Sequence, residues 1–347
     1  MNFASDNASG VHPSIMAAMT VANDGHVLDY GRDGLTEAAI DRVRAVLDAP
    51  EAAVVFVTTG TAANAIALGA AAQPWQRIFC HEDAHIETSE CGAPEFFTAG
   101  AKLTLLPGDG GLIDADALDH AIEFWSGEGI GGGQPGAVSI TNATEWGRVW
   151  MPDQLGEIAA VTRQHGLALH MDGARFANAV IGSGASPAEV THLAGVDLLS
   201  FGGTKNGAMG AEAIVAFDGA MAERLTYMRK RGGHLWSKHR YLAAQFYALL
   251  DGDLWLHSAR HANMMALRLA EGLDAVEGAR LVQPVQSNQV FAVVPSDADD
   301  RARAAGANYY AWSLIGDQAA DEVTLRFVCS WNTHETEIDA LIAALRG

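Results

Sequence analysis

Two short segments, His170-Met-Asp-Gly-Ala-Arg175 and Ser200-Phe-Gly-Gly-Thr-Lys-Asn-Gly207, decide how this chain is expected to fold. Each is introduced by an apolar run of β type and continues into small residues, as at the end of a strand. In open α/β sheets, ligands bind outside the carboxyl ends of the strands. The spacing therefore predicts that Asp172 and Lys205 meet at one edge of an α/β sheet.

Asp172 and Lys205 together suit one cofactor. A lysine that is withdrawn from water among small neighbours loses its proton more easily and can form a Schiff base. A carboxylate on the neighbouring strand end can keep a pyridinium nitrogen protonated, as the electron sink of pyridoxal 5'-phosphate (PLP) requires. The pair predicts a PLP site in which both residues are catalytic.

The rest of the chain alternates between apolar β-type runs and segments of helical period. Strands are expected at 54–57, 77–81, 102–106, 137–141, 167–171, 197–200 and 212–217. Helices are expected at 36–48, 61–72, 114–125, 153–165 and 219–231. This alternation favours a mostly parallel sheet that is covered on both faces.

The pattern changes towards the carboxyl terminus. A long helical stretch at about 237–275 is followed by short strands near 279–282, 288–294 and 322–328, and by an amphipathic helix at 334–346. We therefore expect a large domain over residues 1–244, including an N-terminal arm at 1–14, and a smaller α+β domain over residues 245–347.

Composition excludes several classes of partner. The chain has 22 Lys and Arg against 42 Asp and Glu, a net charge of −20, which argues against nucleic acid and anionic membranes. No apolar run approaches the ~20 residues that a membrane span needs, and the N-terminus lacks the pattern of a signal peptide. Three cysteines, Cys80, Cys91 and Cys329, cannot all pair internally, so a reduced, cytoplasmic protein is expected.

The segment 54–64 predicts a phosphate seat. It contains an apolar strand, a turn at Thr59-Gly-Thr61 and the start of a helix. Backbone N–H groups and hydroxyls at a helix N-terminus bind phosphate, although Thr-Gly-Thr also caps ordinary helices. With Asp172 and Lys205 downstream in the same sheet, the phosphate interpretation is favoured.

The run His81-Glu-Asp-Ala-His85 formally matches the zinc signature H-E-x-x-H. That chemistry needs both histidines on one face of a helix, whereas His81 ends an expected strand. We therefore predict no metal site and expect His85 to stack on the cofactor ring. A solvent-exposed histidine without a role is the alternative.

Two arginine-containing segments remain open at the level of sequence. Arg326 lies in an apolar strand, where it needs either the carboxylate of an amino-acid substrate or an internal salt bridge. The run Arg229-Lys-Arg231 could reach a phosphate, in its own subunit or across a subunit interface, or form a solvated helix end.

Taken in order, the motifs resemble those of PLP-dependent L-threonine aldolases, in the low-specificity branch of fold type I. The resemblance covers almost the whole chain and rests on Phe3-Ala-Ser-Asp-Asn7, Tyr30-Gly31, Thr59-Gly-Thr-Ala-Ala-Asn64, His85-Ile-Glu-Thr-Ser-Glu-Cys-Gly-Ala-Pro94, His170-Met-Asp-Gly-Ala-Arg175, Gly203-Thr-Lys-Asn206 and the stretch from Arg326 to Thr333. It implies an aspartate aminotransferase-like fold, with a mostly parallel seven-stranded sheet in the large domain.

The resemblance also implies roles for individual residues. Lys205 would carry the Schiff base, Asp172 would pair with the pyridine nitrogen and His85 would stack on the ring. Gly60, Thr61 and Thr204 would bind the phosphate. Ser5, Arg175 and Arg326 would bind the substrate carboxylate, and Arg175 would also lie near the ring hydroxyl. In a tetramer or dimer, Tyr30 and Lys230 would complete the site of a neighbouring subunit.

The implied reaction is cleavage of L-threonine, L-allo-threonine and related L-β-hydroxy-α-amino acids to glycine and an aldehyde. Many members carry Glu-Asn-Thr-His in a strand-end loop whose histidine contacts the β-hydroxyl, whereas this chain has Thr141-Asn-Ala-Thr-Glu-Trp-Gly147. The base is therefore open, with His85 as the first candidate, and so is the stereochemical preference at Cβ. The alternatives are a phenylserine-type aldolase, a β-eliminating lyase and a non-catalytic PLP-binding homologue.

Overall fold

The computed structural model describes residues 1–312 and 319–347. Its strands are β1 (Ala53–Val57), β2 (Gln76–His81), β3 (Lys102–Leu106), β4 (Gly108–Asp109), β5 (Leu112–Ile113), β6 (Gln134–Thr141), β7 (Ala168–Gly173), β8 (Leu198–Gly202), β9 (Glu212–Ala216), β10 (Arg280–Leu281), β11 (Gln289–Pro295), β12 (Tyr310–Ala311) and β13 (Glu322–Val328). Its helices are α1 (Pro13–Ala22), α2 (Gly34–Val46), α3 (Gly60–Ala71), α4 (His85–Thr88), α5 (Ala93–Phe97), α6 (Ala115–Gly127), α7 (Pro152–His165), α8 (Phe176–Ser183), α9 (Ala222–Arg231), α10 (Arg240–Leu249), α11 (Leu254–Leu273), α12 (Ser296–Ala304) and α13 (Glu335–Arg346).

The larger sheet has seven strands in the order β1-β9-β8-β7-β6-β2-β3. Only β9 runs against its neighbours β1 and β8, so the sheet is mostly parallel, as predicted. The central strands β8 and β9 are buried along their whole length. Their apolar composition follows from that burial, because helices cover both faces of the sheet.

Local sequence explains where the helices around this sheet begin and end. Asp33 caps α2 by accepting a hydrogen bond from the backbone of Thr36, and Thr59 caps α3 in the same way at Ala62. Helix α7 begins with Pro152 and ends at Gly166, whose φ of +67° is the left-handed conformation that favours glycine.

A second, antiparallel sheet lies in the carboxyl-terminal part, in the order β10-β11-β13-β12. Helices α11, α12 and α13 contribute side chains to its apolar core, which also contains Phe3. The backbone of Phe3 bonds to Asn308 and to Val328. The amino terminus of the chain is thereby fastened to this smaller sheet.

One sequence prediction about this region is wrong. The stretch 237–275 is not one long helix, because α10 and α11 are separated at Asp251–Asp253. Gly252 and Asp253 there have φ values of +54° and +57°, outside the helical region. The sequence analysis did not predict helices α1, α4, α5, α8 and α12, strand β12 or the β4-β5 hairpin.

The placement of a domain boundary at residue 245 stays a prediction. Residue 245 lies inside α10, whose side chains pack into the core of the large sheet together with Trp255 and Ala259. From Met265 onwards, α11 contributes to the core of the smaller sheet. Among the described residues, no helix is both long and apolar enough to cross a bilayer.

Candidate active site

A cavity of about 380 Å³ contains most of the residues that the sequence singled out. Those predicted residues are Gly60, Thr61, His85, Asp172, Arg175, Thr204 and Lys205. Sequence reasoning gave no role to several polar neighbours in the lining, namely Asn7, Asn64, Glu90, Glu145 and Glu212. The predicted residues Ser5, Tyr30, Lys230 and Arg326 do not line this cavity.

Lys205 lies on a short helical turn, Thr204–Asn206, directly after β8. The neighbouring Asn206 donates a hydrogen bond from Nδ2 to the carbonyl of Trp255 at 2.8 Å, which ties the turn to α11. Burial, reinforced by the charge of Arg175, lowers the pKa of the Lys205 amine from its usual value. A lowered pKa increases the fraction of the amine that is free to act as a nucleophile.

Asp172 is buried near the end of β7 and accepts two hydrogen bonds. The backbone N–H of Ala174 donates to Oδ1 at 2.9 Å, and Asn64 donates from Nδ2 to Oδ2 at 2.8 Å. Asn64 comes from the first turns of α3 and also donates to Oε1 of Glu90 at 2.9 Å. The carboxylate of Asp172 is thus held in a fixed orientation at the cavity.

Glu90 extends this network to His85. The imidazole Nδ1 of His85 lies 2.8 Å from Oε1 of Glu90, whose side chain is completely buried. The hydrogen bond to Glu90 raises the pKa of His85, while burial raises the pKa of Glu90 itself. His85 and Asp172 are therefore connected through Glu90 and Asn64, a link that no spacing in the sequence indicated.

The loop after β6 brings Glu145 against His85. Its Oε1 accepts hydrogen bonds from the backbone N–H of His85 at 2.8 Å and from the hydroxyl of Thr141 at 2.9 Å. Its Oε2 is buried and has no hydrogen-bond partner among the described residues. Burial, followed by the charge of Asp172, raises the pKa of Glu145.

The predicted phosphate seat lies at the N-terminus of α3. The side chain of Thr59 accepts from the N–H of Ala62, and its carbonyl accepts from the N–H of Ala63. Because the first N–H groups of a helix lack partners within the helix, those of Gly60 and Thr61 remain for a ligand. Both residues line the cavity.

Thr204, the third predicted phosphate ligand, has a partner inside the protein. Its hydroxyl donates to Oε1 of Glu212, and the N–H of Gly203 donates to Oε2 of the same carboxylate. Glu212 is buried, and burial raises its pKa. The signal for Glu212 was a glutamate at the first position of an otherwise apolar strand, in the strand that follows the lysine turn.

The two arginines predicted for the substrate carboxylate differ in their partners. Arg175 donates from Nε and Nη2 to the buried carboxylate of Asp6, at 2.8 and 3.0 Å. Burial opposes the ionisation of Asp6, but the charges of Arg175 and Lys205 outweigh it and lower the pKa of Asp6. Ser5, beside Asp6, accepts a hydrogen bond from the N–H of Asn7.

Arg326 has no ion pair among the described residues, so they do not supply the internal salt bridge considered from the sequence. Its Nε is buried without a partner, and its guanidinium lies 4.9 Å from the ring centre of Trp312. Burial, with the charges of Arg175, lowers the pKa of Arg326 to about 10. A half-buried guanidinium in this state is suited to bind an anionic ligand.

The remaining predicted residues lie outside the cavity. Tyr30 and Lys230 are exposed and adjacent, with Nζ of Lys230 5.0 Å from the centre of the Tyr30 ring. Within the run 229–231, Lys230 and Arg231 are exposed, whereas Arg229 is half-buried and its Nε has no partner among the described residues. Burial lowers the pKa of Arg229 to about 10.

The two histidines of the zinc-like run belong to different elements. His81 ends β2, where its Nδ1 accepts from the N–H of Asp83 at 3.0 Å, while His85 begins α4. Within residues 1–312 and 319–347, no cluster of three or more His, Cys, Asp or Glu side chains is arranged to hold a metal ion.

Comparison with known proteins gives this geometry a family. The profile of the beta-eliminating lyase family matches residues 2–297. The chain is 44% identical to the low specificity L-threonine aldolase of Pseudomonas aeruginosa over 345 residues, which cover 99% of this chain and 96% of that protein. The chain belongs to the threonine aldolase family. A second low specificity L-threonine aldolase, from a Pseudomonas species, is 42% identical over the same shares of both chains.

The fold of the threonine aldolase family is confirmed by a solved structure. The Leishmania major threonine aldolase superposes with a TM-score of 0.92 at 29% identity, covering 99% of this chain and 98% of that one. The predicted fold type I architecture is therefore correct. The family depends on PLP, as the pair Asp172 and Lys205 indicated.

The residues of this threonine aldolase fit PLP chemically. The cavity offers an amine at Lys205 whose pKa is lowered by burial for the aldehyde, and a buried carboxylate at Asp172 for the ring nitrogen. For the phosphate it offers the N–H groups of Gly60 and Thr61, which have no partner among the described residues. A Cβ added at Gly60 would meet nothing within 4 Å, so the chain leaves open space at this position. Amine, carboxylate and amide donors thus surround one cavity of suitable size.

Proposed function

We propose that this protein is a PLP-dependent low-specificity L-threonine aldolase. It cleaves L-threonine, L-allo-threonine and related L-β-hydroxy-α-amino acids to glycine and an aldehyde. The observation that carries the proposal is the cavity in which the Lys205 amine, with its lowered pKa, shares the lining with the fixed carboxylate of Asp172. Family membership over the whole chain supports the same reaction.

In this proposal, the chain's own residues hold the cofactor from three sides. Lys205 binds it covalently through Nζ, Asp172 keeps its ring nitrogen protonated, and His85 packs against the ring. Gly60 and Thr61 bind the phosphate through their backbone N–H groups. Thr204 would also bind the phosphate by redirecting its hydroxyl hydrogen bond from Glu212 to a phosphate oxygen. When bound, PLP supplies a protonated ring that takes up the electron pair released at the substrate Cα.

Substrate binding is assigned to Arg326, the arginine near the site whose guanidinium has no ion pair within residues 1–312 and 319–347. Arg326 binds the α-carboxylate, supported by Ser5 and by the remaining donors of Arg175. A guanidinium matches a carboxylate with two parallel hydrogen bonds, which fixes orientation as well as position. Holding the carboxylate keeps the Cα–Cβ bond perpendicular to the ring plane, the geometry in which its cleavage is stabilised.

We further infer a homo-oligomer, either a tetramer or a dimer, that acts in the cytoplasm. Tyr30 and Lys230 lie exposed beside each other, outside their own chain's cavity. This position suits a contribution to the site of a neighbouring subunit. The net charge of −20 argues against nucleic acid and anionic membranes as partners.

The proposed function is tested with purified protein that has been loaded with PLP. It is incubated with L-threonine, L-allo-threonine and L-phenylserine, and glycine and aldehyde are measured in each case. For each of the two threonine isomers we expect glycine and aldehyde to form in equal amounts. A Lys205→Ala variant should form neither product. Ammonia and a keto acid in place of glycine and aldehyde would instead indicate a β-eliminating lyase.

A further inference from the structure

One carboxylate oxygen of Glu145 has no hydrogen-bond partner within the described part of the chain. Its Oε1 is fully engaged by His85 and Thr141, whereas Oε2 is buried and unpartnered among the described residues. Burying a carboxylate oxygen without a hydrogen bond is unfavourable, because the oxygen loses its contacts with water and gains none in the protein. The side chain lines the same cavity as Lys205 and Asp172, so a substrate group is the natural partner.

The position of Glu145 relates it to the part of the substrate that reacts. Thr141, whose hydroxyl binds Oε1, is paired in the sheet with Asp172, the proposed partner of the ring nitrogen. On its other side, Glu145 is bonded to the backbone of His85, the residue proposed to pack against the ring. Glu145 therefore lies between the residues assigned to the edge and to the face of the cofactor.

His85 is less suited to act as the base. Its Nδ1 is held by the buried Glu90, and this hydrogen bond stabilises the protonated imidazole. A general base must be free of its proton when the substrate arrives. Oε2 of Glu145, in the loop 141–147 that contains no histidine, has no hydrogen-bond partner among the described residues and is placed to accept a proton. Burial raises the pKa of Glu145, which makes its carboxylate a stronger base.

We propose that Glu145 is the catalytic base for the substrate's β-hydroxyl, a role that rests on the proposed aldolase function. Oε2 accepts the hydroxyl proton as the Cα–Cβ bond breaks. The O–H electron pair forms the C=O bond of the aldehyde, and the Cα–Cβ electron pair stays with Cα. One proton is lost from the hydroxyl and one is gained at Cα to give glycine, so no co-reactant is consumed.

The experiment compares two reactions of the PLP-loaded protein in the wild type and in Glu145→Gln. Cleavage of L-threonine requires removal of the hydroxyl proton, whereas exchange of the glycine Cα proton with deuterium uses the same cofactor and carboxylate site without any hydroxyl. Glutamine has nearly the shape of glutamate and can still accept from His85 and Thr141. Glu157→Gln, at an exposed position in α7, is the matched control for the loss of one charge.

We expect Glu145→Gln to lower kcat for cleavage by about 10²- to 10⁴-fold, the usual contribution of a general base. Glycine exchange, the PLP dissociation constant measured by absorbance titration and the Tm of the cofactor-free protein should all stay at the wild-type values. The Glu157→Gln control should match the wild type in every measurement.

Two results with Glu145→Gln would overturn the proposal. Unchanged cleavage would show that another group takes the proton. A parallel loss of cleavage and exchange, with weaker PLP binding, would show that Glu145 only positions His85 or the cofactor. If the wild-type protein exchanges the Cα proton of glycine but cleaves no hydroxy-amino acid, the aldolase function fails and the role of Glu145 fails with it. This outcome is distinguishable, because it is seen in the wild type without any variant.

Discussion

Arg326 and Arg175 carry the same charge, yet only Arg326 lacks a carboxylate partner within the described chain. Arg326→Lys should therefore raise KM and also lower kcat, because the point charge of lysine cannot hold the substrate carboxylate in two places. A loss of about 10- to 100-fold in kcat/KM is expected from one charge-assisted hydrogen bond. Steady-state kinetics with L-threonine give kcat and KM of the variant. Values equal to those of the wild type would indicate that Arg175, not Arg326, binds the substrate carboxylate.

Lys205 is the residue on which the cofactor assignment depends. Reduction of the PLP-loaded protein with borohydride should fix the cofactor on Nζ of Lys205, because this amine is buried at the cavity and its pKa is lowered. Peptide mapping by mass spectrometry identifies the labelled residue. A label on any other lysine would contradict the site, whereas Lys205→Ala should lose turnover and keep its far-ultraviolet circular dichroism spectrum.

Glu90 should control the protonation of His85. The hydrogen bond that His85 donates to Glu90 raises the pKa of His85 above its usual value of 6.5, so Glu90→Gln should lower the pKa of His85. In the wild type, this interaction stabilises the fold below pH 6.5, and the contribution is lost as the pH rises through the raised value. Titration of the His85 ring by NMR checks the direction, and an upward shift in Glu90→Gln would contradict the role of Glu90.

At the scale of elements, the end of β8 tests how tightly the site is built. A Cβ at Gly202 would lie 2.5 Å from the backbone oxygen of Ala174, two residues after Asp172, and neither backbone can move away cheaply. Gly202→Ala should therefore destabilise the protein by about 1–3 kcal/mol and weaken PLP binding. Urea unfolding and PLP titration measure the two effects.

Gly156 provides the matched control for this substitution. It lies inside α7, where an added Cβ would meet nothing within 4 Å. Gly156→Ala should stabilise the protein by up to about 1 kcal/mol, because alanine favours the helix and restricts the unfolded chain. Equal effects of the two substitutions would show that contact with Ala174 does not limit the site.

At the scale of the whole molecule, shared sites can be tested by complementation. Lys205→Ala lacks the covalent lysine, and Lys230→Gln should lack a contribution to its neighbour's site. If sites are shared, hybrids that are co-expressed with two affinity tags should recover activity, because one subunit supplies Lys205 and the other Lys230. Sedimentation velocity gives the number of subunits in the assembly. Hybrids that form without recovering activity would show that Lys230 acts in the site of its own subunit or has no role in activity.

The fold class and the pairing of Asp172 with Lys205 at one cavity could be predicted from the sequence. The alternation of strand and helix periods predicted the mostly parallel sheet. Apolar runs followed by small residues marked two strand ends and so predicted Asp172 and Lys205, because the end of a strand can be recognised from neighbouring residues in the sequence. The same local reasoning failed at Asp251–Asp253, where the helical pattern continues but Gly252 and Asp253 leave the helical conformation.

The hydrogen-bond partners of these residues could not be predicted from the sequence. The link from His85 through Glu90 and Asn64 to Asp172 joins residues from three separate segments of the chain. Likewise, Asp6 accepts hydrogen bonds from Arg175, which is distant in sequence, whereas Arg326 has no ion pair among the described residues. Hydrogen bonds and burial depend on distances in space, and the period of a sequence contains no information about contacts between distant segments.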